Sequence, residues 1–76
     1  MSKRIFNIEE ICKQRLDCIR GLEKEFANNP SLNTAIVLRD LWKNWEEAEW
    51  GKYITESPKR DEVLMKIASY SAYAAN

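Results

Sequence analysis

One short segment of this chain combines large aromatic rings with carboxylates. It contains Trp42, Trp45, Trp50 and Tyr53, with Glu46, Glu47 and Glu49 between them. Rings with charged neighbours are typical of protein-binding faces, whereas rings alone are typical of a small hydrophobic core. Rings beside carboxylates can also hold an ammonium group, which gives a third interpretation, a cation or small-molecule site.

The residue types on which most enzymes depend are scarce. The 76 residues include no histidine, two cysteines and two glycines. Histidine is the commonest general base at neutral pH, and a di-metal carboxylate site would need it beside Glu46 and Glu49. Two cysteines are too few for a zinc signature, and a phosphate-binding loop needs more glycines. We therefore expect a non-catalytic protein with no metal and no cofactor.

The balance of charge narrows the choice of partner. Twelve basic and twelve acidic side chains cancel to a net charge of zero. Proteins that grip phosphates usually have a basic excess, so this composition disfavours nucleic acid as the main partner. No apolar run approaches the roughly 18 residues of a membrane span, and residues 1–4 do not lead into a signal-peptide core. We expect no membrane association.

The two cysteines, Cys12 and Cys18, fall in one predicted helix. Six residues of helix rise about 9 Å, which is more than the roughly 4.4–6.8 Å that a disulfide allows between Cα atoms. Two free thiols and no export signal favour a cytoplasmic location.

Three amphipathic or punctuated segments predict an all-α fold for a single domain over residues 1–76. We expect a small three-helix bundle with helices at roughly 8–27, 30–55 and 58–75, in which helices 1 and 2 form an antiparallel hairpin. A hairpin that dimerises is the main alternative.

The first helix has the clearest signals. Asn7 is a cap with Glu10 in capping-box position, and Phe6 and Ile11 occupy the positions of a hydrophobic staple. Asn28-Asn29-Pro30 offers left-handed conformers and then a proline, so the helix should end near Ala27. Its apolar stripe consists of Ile8, Ile11, Cys12, Leu16, Ile19, Leu22 and Phe26.

The second helix has less certain ends. It begins with Asn29 as cap and Pro30 in the first turn, or one turn later with Ser31 or Asn33 as cap. It ends where Gly51 follows Trp50, or it continues through that glycine to about Thr55 at a cost of roughly 1 kcal/mol.

Ser57-Pro58 repeats the signal of a cap followed by proline and opens the third helix. The expected inner face of this helix consists of Val63, Leu64, Ile67, Tyr70, Ser71 and Ala74. Residues 68–76 contain no stop signal, so this end should fray unless something packs on it.

On a helical wheel, the aromatic segment divides into two sectors. One sector is apolar and should be core; it holds Val37, Leu38, Leu41, Trp42, Trp45 and Ala48. The adjoining sector alternates rings with charges, which a core tolerates only when every charge is paired. The partner-binding residues predicted on this basis are Arg39, Trp42, Glu46, Glu49, Trp50 and Tyr53. Trp50 and Tyr53 would be anchors, with Glu46 and Glu49 steering towards a basic surface; in the plainer alternative the charges only rim a core.

Arg15 interrupts the apolar stripe of helix 1. It is expected to extend its charged end into solvent, or to pair with Glu46 or Glu49 across the hairpin. The alternative is an exposed arginine that anchors a partner, which would place helix 1 at the interface as well.

Together these patterns predict a small cytoplasmic protein-binding module: an adaptor, inhibitor or accessory subunit. By analogy only, such a chain suits a phage or mobile element that blocks a host factor. The alternatives are a homo-oligomer, such as a homodimer that buries its own aromatic face, and, less favoured, a nucleic-acid-binding regulator.

Overall fold

Three α-helices joined by short connections make up the computed structural model, which describes residues 7–75. They are α1 (Ile8–Asn28), α2 (Leu32–Glu47) and α3 (Arg60–Ala75), and a short 3-10 helix at Trp50–Tyr53 follows α2. No strand occurs within these residues. The helices pack into an elongated body of 53 × 24 × 16 Å. The predicted three-helix bundle, with helices 1 and 2 packed together, is confirmed.

α1 begins and ends as its local signals predict. The side-chain oxygen of Asn7 accepts a hydrogen bond from the backbone N–H of Glu10 at 3.2 Å. At the other end the N–H of Asn29 bonds to the carbonyl of Glu25 at 2.8 Å. Asn29 has φ −148° and ψ 77°, so the chain does not leave this helix through the predicted left-handed conformer. Phe6, one half of the predicted staple, lies outside the described residues.

α2 begins at Leu32, two residues later than the first of the two predicted starts. Ser31 is the cap, and its hydroxyl oxygen accepts from the N–H of Thr34 at 3.2 Å. The alternative with Ser31 as cap is therefore confirmed, and the one with Asn29 as cap is wrong.

The far end of α2 is shorter than predicted, because the helix ends at Glu47 and does not reach Thr55. Glu49 adopts a left-handed conformation with φ 56°, which no residue inside a right-handed α-helix can adopt. The chain then makes the 3-10 helix and becomes extended at Ile54, whose side chain is buried. Trp50 and Tyr53 therefore do not continue the helical wheel on which the predicted binding face was drawn.

Gly51 is not the residue that terminates α2; it permits a close approach instead. A Cβ atom at this position would lie 2.7 Å from the hydroxyl oxygen of Ser57 and 3.3 Å from the indole nitrogen of Trp45. That indole donates to Ser57 at 3.1 Å, so Ser57 serves the core and is not the cap of α3. α3 begins at Arg60.

α3 packs on the hairpin through most of its predicted inner face. Val63 is buried, and Ile67, Tyr70, Ser71 and Ala74 are partly buried, but Leu64 is 42% exposed and does not belong to that face. Phe26 of α1 meets Tyr70 and Tyr73 edge to face, with centroids 5.4 and 5.0 Å apart. This packing holds the end of α3 as far as Ala75; Asn76 lies outside the described residues.

The core lies where the three helices meet. Its buried members are Cys12, Leu16, Ile19, Leu38, Trp42, Trp45, Ile54 and Val63. The predicted stripe of α1 is thus confirmed, as are Leu38, Trp42 and Trp45 in α2. Val37 and Ala48, which were also predicted to be core, are exposed. Val37 is exposed because one side of the α1–α2 hairpin carries no third helix, whereas Ala48 is the C-cap residue beyond the end of α2.

Candidate protein-binding groove

A groove of about 790 Å³ runs between α1 and α2 on the side that α3 does not cover. We call it the hairpin groove. Its apolar lining comes from both helices and from the 3-10 helix: Ile11, Ile19, Leu22, Val37, Leu41, Trp45 and Trp50. Its polar rim consists of Gln14, Arg15, Cys18, Asp40 and Asn44. An open apolar groove with a polar rim is the usual form of a site that receives an amphipathic segment.

The three indoles form a continuous row from the core to this groove. Trp42 and Trp45 meet edge to face with centroids 6.2 Å apart, and Trp45 and Trp50 follow at 6.0 Å. Trp42 is fully buried and Trp45 is 4% exposed, whereas Trp50 is only partly buried. Trp50 is therefore the most exposed ring of the row, and it packs on the buried ring of Trp45.

Arg15 covers that ring. Its guanidinium carbon lies 4.3 Å from the ring centroid of Trp50, a cation–π contact. Within residues 7–75 no carboxylate lies within salt-bridge distance of Arg15, so neither predicted partner, Glu46 or Glu49, is used. The early end of α2 explains the difference, since Glu49 lies beyond the helix and Glu46 bonds to Arg60 at the start of α3.

Glu46 and Glu49 line a different surface, a cleft of about 600 Å³ between the end of α2 and the start of α3. Glu46 pairs there with Arg60, and Glu49 pairs with Lys52 at 3.3 Å. Lys59 also lines this cleft. The cleft thus brings acidic and basic groups together, and both carboxylates have a partner within the chain.

The remaining predicted binding residues also separate. Trp42 is fully buried, so it cannot touch a partner of the folded monomer. Arg39 pairs with the adjacent Asp40 at 3.2 Å. Tyr53 is 41% exposed and carries the ammonium group of Lys52 5.4 Å from its ring centroid. Of the six predicted residues, Trp50 is the member that lines the hairpin groove.

The structure also disfavours the interpretation as a cation site. Trp50 and Tyr53 already carry cations of this chain, from Arg15 and Lys52. A free ammonium ligand would have to displace one of them.

Glu23 is a structural residue that sequence analysis did not single out. Its carboxylate accepts from the indole of Trp42 at 3.0 Å, from the ammonium of Lys66 at 3.1 Å and from the hydroxyl of Tyr70 at 3.1 Å. Burial first, and then the charge and hydrogen bond of Glu23, raise the pKa of Tyr70 to about 12. The signal was present, because position 23 falls four residues after Ile19 and three before Phe26, on the apolar stripe.

The two cysteines are free thiols in different surroundings. Cys12 is fully buried, and burial raises the pKa of its thiol despite the nearby charge of Arg15. Cys18 is exposed and lies on the rim of the hairpin groove. Cys18 is thus the thiol that a reagent in solution would reach.

Two further properties of residues 7–75 bear on the site. No group of three histidine, cysteine, aspartate or glutamate side chains is close enough to hold a metal ion. None of the helices is both long and apolar enough to cross a membrane.

Comparison with known proteins finds no family model, no curated protein and no solved structure that matches this chain. Its function must therefore be inferred from its own residues.

Proposed function

We propose that this chain is a small non-catalytic protein-binding module that receives an amphipathic helix of a partner protein in the hairpin groove. It would act as an adaptor, inhibitor or accessory subunit. The observation that carries the proposal is the groove itself, an apolar surface between α1 and α2 left open by α3. The free thiol of Cys18 on its rim suits a reducing, cytoplasmic setting.

The dimensions of the groove favour a helix as the occupant. Its α1 wall extends from Ile11 to Leu22, which corresponds to about 16 Å or three turns at 1.5 Å per residue. An inserted helix satisfies its own backbone hydrogen bonds. An extended peptide that binds by strand addition would need a sheet edge to pair with, and residues 7–75 contain no strand.

Trp50 is the aromatic anchor in this proposal, because it is the predicted binding residue that lines the groove. Tyr53, Glu46 and Glu49 do not line the groove. Because both carboxylates are paired within the chain, steering towards a basic partner surface is no longer the mechanism that we favour.

Two matched substitutions test the proposal. Val37 lines the groove and is 44% exposed, while Leu64 on α3 is 42% exposed and lies away from it. Val37→Glu should abolish capture of the partner from extracts of the native cell, because it places a charge in the apolar groove. Leu64→Glu should leave capture unchanged. Both variants should unfold within about 0.5 kcal/mol of the parent chain, since both sites are surface positions.

Equal capture by the parent chain and Val37→Glu would show that the groove is not the binding surface. A loss with both variants would point to a surface wider than the groove, or to α3.

Self-association is the second candidate, and one observation favours it. Two adjacent apolar side chains are exposed on α3, Met65 by 72% and Leu64 by 42%. Together they expose more apolar surface than a single exposed residue would, and such surface can bind a second copy of the chain. A dimer formed there should dissociate on Met65→Glu, with its mass measured by sedimentation equilibrium at micromolar concentration. A monomeric parent chain under these conditions would exclude this candidate.

A further inference from the structure

We propose that the partner helix carries a carboxylate, at the end that lies over Trp50, which accepts two hydrogen bonds from Arg15. This inference rests on the proposed function, because it names the chemistry of the segment that occupies the hairpin groove. It replaces the expected basic partner surface with an acidic side chain at one defined point.

The cation–π contact places the hydrogen-bond donors of Arg15 at the groove. A guanidinium is a planar fork of five N–H donors, and contact with a ring uses none of them as a conventional hydrogen bond. The guanidinium carbon of Arg15 lies 4.3 Å from the ring centroid of Trp50. Within residues 7–75 these N–H groups have no side-chain or backbone acceptor. A planar fork of this kind matches the two oxygens of a carboxylate.

The other charge on the rim does not compete for this role. Asp40 is paired with Arg39, two of whose three guanidinium nitrogens lie 3.2 Å from one carboxylate oxygen. Gln14 and Asn44 are neutral. The charge that the groove leaves without a counterion is therefore positive, and it belongs to Arg15.

Antiparallel packing places this charge at one end. Arg15 lies with Ile11, Trp45 and Trp50 at the end of the groove remote from the α1–α2 connection, whereas Leu22 and Val37 lie near that connection. A helix seated on the apolar lining would need its acidic residue in a terminal turn. Elsewhere it would need apolar residues spaced three and four apart.

Designed peptides provide the probe. Each has about 15 residues, to span the groove with one turn to spare, carries an apolar stripe, and differs only at one test position as Glu, Gln or Lys. The test position lies in the first turn in one series and in the last turn in the other, because the helix can enter in either direction. Anisotropy of a dye on the peptide measures the dissociation constant.

Three protein variants isolate the contact. Arg15→Gln removes the charge, Arg15→Glu reverses it, and Lys24→Glu makes the same reversal at an exposed position of α1 that does not line the groove. Comparing Glu and Gln peptides on the parent chain and on Arg15→Gln closes a double-mutant cycle, which cancels any effect of the peptide's own helicity.

In one series the Glu peptide should bind the parent chain about 10- to 100-fold more tightly than the Gln peptide, as a bidentate charge-assisted pair implies. This preference should disappear in Arg15→Gln and persist in Lys24→Glu. Arg15→Glu should instead bind the Lys peptide more tightly than the Glu peptide. Equal binding of Glu and Gln peptides in both series would overturn the carboxylate inference but leave the groove as a helix site. A preference that survives in Arg15→Gln would overturn it too. Absence of binding by every peptide at millimolar concentration would reject both the inference and the helix-binding function.

Discussion

Glu23 is the residue through which all three helices are joined. Its carboxylate lies on α1 and accepts hydrogen bonds from Trp42 of α2 and from Lys66 and Tyr70 of α3. The arrangement satisfies an indole N–H whose side chain is fully buried. A buried donor without an acceptor is costly, so this carboxylate stabilises the fold by accepting the hydrogen bond of the buried indole.

Replacing Glu23 should therefore destabilise the fold far more than replacing an exposed glutamate of the same helix. Glu23→Ala leaves the buried Trp42 N–H without an acceptor and removes the bonds to Tyr70 and Lys66, which should lower the free energy of unfolding by about 2–4 kcal/mol. Glu25→Ala is the control and should change it by no more than about 0.5 kcal/mol. Urea titration followed by circular dichroism measures both. Similar losses in the two variants would contradict the role given to Glu23.

The two glycines make a matched pair with opposite expectations. Gly21 lies in α1, and a Cβ there would meet nothing within 4 Å. Gly21→Ala should therefore stabilise the chain by about 0.5–1 kcal/mol through helix propensity. In Gly51→Ala the new methyl group forces Ser57 away from the indole of Trp45, which should cost about 1–2 kcal/mol. The midpoint of thermal unfolding of each variant measures these effects. A Gly51→Ala variant that is more stable than the parent chain would contradict the close approach of Gly51 to Ser57.

At the scale of the helices, local signals predicted some ends and not others. Asn7 caps α1 through a contact three residues away, and such short-range patterns are visible in a sequence. The region after α2 is instead held by a contact between residues twelve apart, the bond from Trp45 to Ser57 across the following loop. Gly51 was the expected stop, yet the left-handed residue is Glu49. No local pattern indicates a conformation that distant packing selects.

The strained end of α2 leads to a further prediction. A non-glycine residue in the left-handed region costs about 1–2 kcal/mol, and the exposed pair between Glu49 and Lys52 returns little of it. Glu49→Gly should stabilise the chain by about 0.5–1 kcal/mol, after allowance for the greater freedom of glycine when unfolded. Lys43→Gly, at an exposed position inside the helix, should destabilise it by about 1 kcal/mol. Chemical denaturation of the pair tests this, and the opposite order would exclude a left-handed Glu49.

At the scale of the whole molecule, the fold class was predictable and the groove was not. Amphipathic stripes and punctuation by Asn, Pro and Ser determine the number of helices and the hairpin. Where the third helix settles depends on the fit of side chains such as Phe26, Tyr70 and Tyr73. That choice leaves one side of α1 and α2 uncovered, and it turns Val37 from a predicted core residue into a surface one.

Global stability should depend on pH in an alkaline window set by Tyr70. The pKa of its hydroxyl is raised from 10.0 to about 12 in the folded chain, so the folded state favours the neutral phenol. The stability that this group contributes is complete below pH 10 and is lost as the pH rises towards 12. Urea unfolding between pH 9 and 12 should thus show a decline that is smaller in Tyr70→Phe. Parallel curves for the two chains would contradict the shift.

The row of indoles joins different parts of the molecule. Trp42 bonds to Glu23 on α1, Trp45 bonds to Ser57 ahead of α3, and Trp50 is covered by a guanidinium of α1. Each ring thus lies at a different interface between segments of the fold, although all three come from one short stretch of chain.

Three variants of the protein would each retain one tryptophan, with phenylalanine at the other two positions. After rapid mixing with denaturant, the fluorescence of each variant would report when the contact made by its remaining tryptophan is lost. The sequence of these times would establish which contact yields first, with no attached dye.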